Sequence, residues 1–221
     1  MSDATSNATL LVSELFLSLQ GESTFQGKLC AFVRLSGCHL RCRWCDTAHA
    51  FSDGKRMSIE DIVEKVLQMQ CPLVEVTGGE PLLQPGVYLL MEALLAEGLE
   101  VLLETSGSIY LDKVPYYVKK IVDFKPPDSG EMEENCWENL LLLKKGDEIK
   151  FVLASYEDYA WAKRVCQREN LFEGKLEVLF SVAYGLLSPQ KVAEWIIEDR
   201  LPVRFQLQQH KYIWAPTQRG V

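Results

Sequence analysis

An α/β fold with a mainly parallel sheet, closed or partly closed, is what this 221-residue sequence predicts. Three observations carry the expectation. Strand-like and helix-like segments alternate along most of the chain, the pattern that builds parallel sheets. The length suits one sizeable core, and 48% hydrophobic with 24% charged residues is the composition of a globular protein. The chemically rich segments also fall where the strands end, and in parallel α/β folds those carboxyl ends share the rim that holds active sites.

A polar leader over residues 1–9 lacks a basic region followed by an apolar one, so no secretory signal is read. After it, "LLVSELFLSL" is extended up to "QGEST", and "CAFVRLSG" is an apolar strand running into a cysteine-rich loop. "SIEDIVEKVLQM" opens on a Ser58/Asp61 capping pattern and keeps an apolar face through Ile62, Val66 and Met69, which predicts a helix. "LVEVTG" reads as a strand, "VYLLMEALLAEG" as a helix closed by Gly98, and "LEVLLETSG" as a strand. "KKIVDFKPP" is a strand stopped by a proline pair. "CWENLLLLKKG" reads as a helix and "EIKFVLA" as a strand. The helix "YEDYAWAKRVCQREN", the strand "LEVLFSV", the helix "SPQKVAEWIIEDR" and a last strand "VRFQLQ" complete the series. No repeat or linker divides the chain, so residues 1–221 are taken as a single domain.

The net charge of −8, without a long basic run, argues against nucleic acid as a partner. No apolar run reaches the roughly eighteen residues that span a bilayer, and a cytosolic location follows as an expectation. In that setting clustered cysteines bind metal more often than they pair. Cys38, Cys42 and Cys45 form C-x3-C-x2-C, while Cys30, Cys71, Cys136 and Cys166 are scattered singly. Structural zinc wants four ligands, and no second pair exists here. His39 and His49 are nearby but off the usual spacing. A redox dithiol would use Cys42 and Cys45 and leave Cys38 idle. A four-iron cubane normally takes four cysteines, so three leave one iron open to a substrate. Gly37, before Cys38, lets the backbone turn tightly round such a cube. Trp44 can shield the cluster or offer its face to a purine, or be ordinary packing.

The cysteine spacing, with an aromatic before the last cysteine, resembles the radical S-adenosylmethionine superfamily. Together with "LSLQGEST", "FVRLSGC", "WCDT", "TGGEP", "ETSG" and "QLQQHKYIW", it resembles the 7-carboxy-7-deazaguanine synthase family nearly to Val221. One departure is local: the common QGEG reads QGES, with Ser23 in place of a glycine. The resemblance implies a reduced radical SAM core, a partial (β/α) barrel, typically as a homodimer. It implies a 4Fe-4S cluster on Cys38, Cys42 and Cys45 whose open iron takes the amino and carboxylate groups of S-adenosylmethionine. Cleavage of the sulfonium then gives methionine and a 5′-deoxyadenosyl radical. The implied reaction converts 6-carboxy-5,6,7,8-tetrahydropterin to 7-carboxy-7-deazaguanine with loss of ammonia, fed by an electron donor such as flavodoxin or ferredoxin.

The resemblance also distributes roles. Cofactor binding falls to His39, Trp44, Gly79, Glu80, Glu104, Ser106 and Lys125, and substrate binding to Leu19, Gln20, Gly21, Glu22, Arg34, Thr77 and His210. The chemistry agrees at several of these. Gly78 and Gly79 let backbone approach the ligand's amino group, and Glu80 can pair with that ammonium. Glu104 and Ser106 can bond ribose hydroxyls or close their own turn, and Lys125 can reach a carboxylate. Glu22 suits a guanidine-like pterin edge, and Arg34 offers a fork for the pterin carboxylate unless an internal salt bridge takes it. Thr47 holds Mg2+ in the resembling family, and otherwise its hydroxyl caps a turn. Two rival readings remain at this point, a glycyl-radical-enzyme activase and a zinc-binding interaction module.

Overall fold

The computed structural model describes residues 8–221, so residues 1–7 of the polar leader lie outside the described residues. Thr9, expected in the leader, already belongs to the first strand. The strands are β1 (Thr9–Leu19), β2 (Leu29–Leu35), β3 (Lys55–Ser58), β4 (Leu73–Gly78), β5 (Glu100–Thr105), β6 (Lys119–Asp123), β7 (Glu148–Leu153), β8 (Glu177–Val182) and β9 (Arg204–Gln206). The α-helices are α1 (Ile59–Gln68), α2 (Val87–Ala96), α3 (Tyr156–Arg168), α4 (Pro189–Asp199) and α5 (His210–Ile213). They build one nine-stranded sheet in the order β3-β1-β2-β4-β5-β6-β7-β8-β9. β1 runs antiparallel to both neighbours and every pairing from β2 to β9 is parallel. The sheet is open between its edge strands β3 and β9, which makes it a partial barrel.

Local chemistry sets the boundaries. Ser58 caps α1 by accepting from Asp61 N at 3.0 Å, and Ser155 caps α3 by accepting from Asp158 N. Such a cap is worth ~1 kcal/mol against alanine. α2 ends where Gly98 takes φ +78°, a conformation that costs glycine little. β4 and β7 are buried along their whole length, as parallel strands covered on both faces must be. Phe124, Phe151, Tyr159 and Phe180 fill the core beside them, with Phe124 stacked on Trp137 at 5.0 Å.

Two segments differ from expectation. "CWENLLLLKKG" forms only a 3-10 helix over Trp137–Leu142. The cause is Asn139, fully buried, which accepts from Leu111 N and donates to Gly107 O and Ile109 O. Those bonds tie the segment to the loop after β5, and the tighter i→i+3 turn follows. β3 carries no alternating pattern and gave no signal in the sequence; it pairs on the outer edge of β1. No helix is long and apolar enough to cross a membrane among the described residues.

Candidate active site

At the carboxyl ends of the parallel strands a cavity of about 650 Å3 opens, and Cys38, Cys42 and Cys45 line it. The loop that carries them is fixed by backbone bonds. Gly37, at φ +96°, donates to Ala50 O at 2.7 Å and accepts from Glu80 N at 2.8 Å. Further along, Arg43 N donates to Ser129 O, and Arg41 N donates to Glu131 Oε1 at 2.6 Å while its guanidinium lies 4.3 Å from the Phe51 ring centre. The three thiols are free and partly exposed. Burial raises Cys38 and pushes Cys42 up to about 11, so a bound metal must displace protons to obtain thiolates.

The donor set fits an iron–sulfur cube. Three sulfur ligands share one cavity, and no fourth cysteine among the described residues lines it. Structural zinc sites are usually closed by a fourth ligand at pair spacing, whereas a cube with three thiolates keeps one iron open. A second observation points to a ligand beside the cube. Asp123 lines the cavity, and its Oδ1 is buried with no hydrogen-bond partner among the described residues. A buried lone acceptor is costly unless a donor arrives, and an ammonium or a ribose hydroxyl is such a donor.

The residues expected around the cofactor divide into two groups. Gly79, Trp44, Glu104, Ser106 and Lys125 line the cavity. Lys125 donates to Asp123 Oδ2 at 2.8 Å; burial opposes its charge, but Asp123 and Cys42 outweigh that and raise its pKa. Glu80 stands elsewhere. It is 1% exposed and off the cavity wall, and it accepts from Leu82 N, Thr105 Oγ1, Ser106 N and Ser106 Oγ at 2.6–3.0 Å. Both of its oxygens are engaged, so Glu80 clamps the "TGGEP" turn to the "ETSG" turn. Ser106 is correspondingly held in its turn, with its hydroxyl on Glu80. His39 is exposed, off the cavity wall, and 3.0 Å from Ser108 Oγ. The paired glycines Gly78 and Gly79 bring the end of β4 close against β2 and the cysteine loop. Gly79 N donates to Leu35 O, and a Cβ at Gly79 would lie 2.3 Å from Gly37 O. Their smallness lets the turn press against the cysteine loop.

Leu19, Gln20, Gly21, Glu22, Arg34 and His210 line the same cavity, and so does the buried Thr77. Gln20 Oε1 accepts from Glu22 N at 2.9 Å, which turns its amide nitrogen toward Glu75 Oε2. Glu22 accepts from Lys150 Nζ at 2.8 Å and from Gln208 Nε2 at 3.0 Å. Burial alone would raise the Glu22 pKa, but Lys150 and His210 bring it down to about 2. Arg34 does enter an internal salt bridge, donating from Nε to Glu14 Oε2 at 2.9 Å. Its terminal amino groups make no hydrogen bond among the described residues, so the fork keeps a free edge. Thr47 caps nothing through its hydroxyl, which lines the cavity 3.8 Å from Cys45 Sγ.

The radical SAM superfamily model matches residues 32–124, from β2 through β6. Over 217 residues the sequence is 49% identical to a 7-carboxy-7-deazaguanine synthase of Chlorobaculum tepidum, covering 97% of this chain and 98% of the relative. A relative of the same name from Koribacter versatilis is 44% identical, with 95% and 99% covered. The chain belongs to the 7-carboxy-7-deazaguanine synthase family. The crystal structure of QueE from Escherichia coli superposes with a TM-score of 0.76 at 20% identity over 95% of this chain and 99% of that one, which supports the fold.

Within this family the chain's serine variant of the QGEG loop has a local solution. Ser23 sits at φ 61° and is buried, and its Oγ accepts from Phe25 N at 3.1 Å. The side chain thereby returns part of the ~1–2 kcal/mol that a non-glycine residue loses there. At Gly21, by contrast, a Cβ would lie 2.2 Å from His210 Nδ1, so any larger residue must displace that imidazole. Several cavity residues were not anticipated: Glu14, His49, Glu75, Asp123, Lys150 and Gln208. Glu75 did carry a signal, as the lone charge inside an otherwise apolar strand. The segment 216–221 also lines the cavity and offered none.

Proposed function

We propose that this protein converts 6-carboxy-5,6,7,8-tetrahydropterin to 7-carboxy-7-deazaguanine with release of ammonia, as a radical S-adenosylmethionine lyase of deazapurine biosynthesis. The observation that carries the reading is one cavity that holds three cysteines without a fourth together with a carboxylate and a half-free arginine fork. When bound, the cluster and S-adenosylmethionine supply the one-electron chemistry. The chain's residues do the rest by placement. Glu22, ionised beside Lys150, accepts from the guanidine-like edge of the pterin. The free edge of Arg34 takes the pterin carboxylate. Gln20, locked by Glu22 N and Glu75, and His210, packed on Gly21, fix the ring between them. Trp44, Gly79, Glu104 and Lys125 border the cofactor, and Glu80 with Ser106 ties the neighbouring turns together.

In the same reading Thr47 contributes its free hydroxyl to a Mg2+ ion whose remaining ligands are substrate oxygens and water. The electron donor is a small redox protein such as flavodoxin or ferredoxin. The enzyme works in the cytoplasm as a homodimer. Anaerobic incubation with S-adenosylmethionine, reductant and the carboxypterin tests the assignment by mass detection of the deazapurine and by ammonia release. A protein that cleaves S-adenosylmethionine but forms neither product under these conditions is not this synthase.

A further inference from the structure

Lys150 has no counterpart among the motif residues, yet it occupies the centre of the cavity floor. It projects from β7, is 3% exposed, and its register partner across the parallel pairing with β6 is Asp123. Its Nζ donates to Glu22 Oε2 at 2.8 Å, contacts Glu104 Oε1, and lies 3.9 Å from Asp123 Oδ2. Glu22 belongs to the loop after β1, Glu104 to β5 and Asp123 to β6, so one ammonium gathers three separate parts of the chain. Glu75 faces the same group from β4. The three carboxylates of Glu22, Glu104 and Asp123 so close together repel one another without a cation, and Lys150 is the cation at hydrogen-bond distance from both Glu22 and Glu104.

We infer that Lys150 is a positioning residue that serves both ligands at once, orienting Glu22 toward the substrate and Glu104 toward the cofactor. The inference rests on the assignment of Glu22 and Glu104 to those two halves in the proposed function. A compact ammonium has three protons and here meets three carboxylates, so it can hold two of them in fixed rotamers while Asp123 completes its shell. Neither carboxylate has another cation within salt-bridge distance among the described residues. Without Lys150 the two would repel, and at least one would turn away or take up a proton. The loss would then appear in the affinity of each ligand, transmitted through a different carboxylate.

The test is a pair of double-mutant cycles read by binding without reductant, so that no turnover occurs. Dissociation constants for S-adenosylmethionine and for the carboxypterin are measured by calorimetry on cluster-loaded protein. Lys150→Met, similar in length but uncharged, is expected to weaken each ligand at least about tenfold. In a Glu104→Gln background the same change should cost S-adenosylmethionine less than about threefold, and in a Glu22→Gln background it should cost the carboxypterin less than about threefold. These double variants also remove the unbalanced charge, which keeps the experiment decisive if Lys150→Met alone folds poorly. Unchanged affinities in Lys150→Met, or full additivity in both backgrounds, overturn the inference. A wild-type protein that binds S-adenosylmethionine but not the carboxypterin at any concentration overturns the functional reading and this inference together. Wild-type binding of both with an inert Lys150 overturns the inference alone.

Discussion

Replacing Gly79 by alanine tests whether the cysteine loop is locked against the end of β4. The backbone at Gly79 is not left-handed, so alanine faces an obstacle of space only. The new Cβ would lie 2.3 Å from Gly37 O and 2.7 Å from Cys38 Cβ, whereas ordinary contact begins near 3.4 Å. Gly37 must therefore retreat by about 1 Å, the difference between 3.4 and 2.3 Å. That retreat stretches its bonds to Glu80 N and Ala50 O, now 2.8 and 2.7 Å, and carries Cys38 with it. Overpacking costs ~1–3 kcal/mol, and a weakened hydrogen bond adds ~1 kcal/mol. For a chain of this size a loss of about 2–4 kcal/mol lowers Tm by roughly 5–15 °C.

Two measurements check this: thermal unfolding of the metal-free protein, and iron with acid-labile sulfide per chain after anaerobic reconstitution. Gly79→Ala should melt early and bind substoichiometric iron. Gly98→Ala is the control, since Gly98 is at φ +78° with nothing within 4 Å of a new Cβ. It should lose only the ~1 kcal/mol of backbone strain and reconstitute fully. If Gly79→Ala binds full iron and melts within about 2 °C of wild type, the loop is not held as described.

Three further outcomes are expected. Arg34→Lys keeps the charge and can keep the Glu14 contact but loses the fork, so carboxypterin affinity should fall about tenfold with S-adenosylmethionine affinity unchanged; equal pterin affinity removes Arg34 from the site. Thr47→Ala should blunt Mg2+ stimulation of turnover without loss of iron, and Thr47→Ser should retain most of it; identical Mg2+ dependence in wild type and the alanine variant places the ion elsewhere. Glu75 is held well above the usual carboxylate range by burial and by the nearby Glu104 and Glu22, against the pull of Lys150 and Arg34. At this side chain the folded state therefore holds its proton above pH 4.5 where the unfolded state loses it, and the stability Glu75 contributes declines as pH rises from there toward the raised pKa. Glu75→Gln cannot ionise and should gain on wild type as pH rises, with the two converging below pH 4.5 in denaturant melts; a difference independent of pH would mean that Glu75 is ionised.

The sequence displays what is local and hides what is assembled. The cysteine triplet, the Ser58 cap of α1 and the strand runs are all set by neighbours a few residues apart, and all appear where the pattern places them. The Glu14–Arg34 bridge joins residues twenty apart on paired strands, and Glu22–Lys150 joins residues 128 apart. Nothing in their local context specifies those partners. β3 stayed hidden because its side chains alternate neither in polarity nor in size, and the 3-10 turn at Trp137–Leu142 because Asn139 decides it through three distant backbone groups.

The harder distinction is between motif residues that meet a ligand and motif residues that shape the place for one. Glu80 and Glu22 are both carboxylates beside a glycine in a short motif, and sequence alone gives each the same claim to a ligand. Their partners separate them. Glu80 accepts only from groups of its own two turns, with Leu82 N, Thr105 and Ser106 consuming both oxygens, and it stands behind the wall. Glu22 is held by Lys150 and Gln208 but stands in the wall, and its charge is stabilised by cations that face the cavity with it. A carboxylate bound mainly to backbone and hydroxyl donors fixes a shape, because those donors cannot leave without unfolding the turn. A carboxylate held by one ammonium and one amide keeps lone pairs for an incoming donor. By that criterion we propose that Gly79, Glu80 and Ser106 shape the cofactor's surroundings, and that Glu22 and Arg34, each with a polar edge open to the cavity, recognise what binds there.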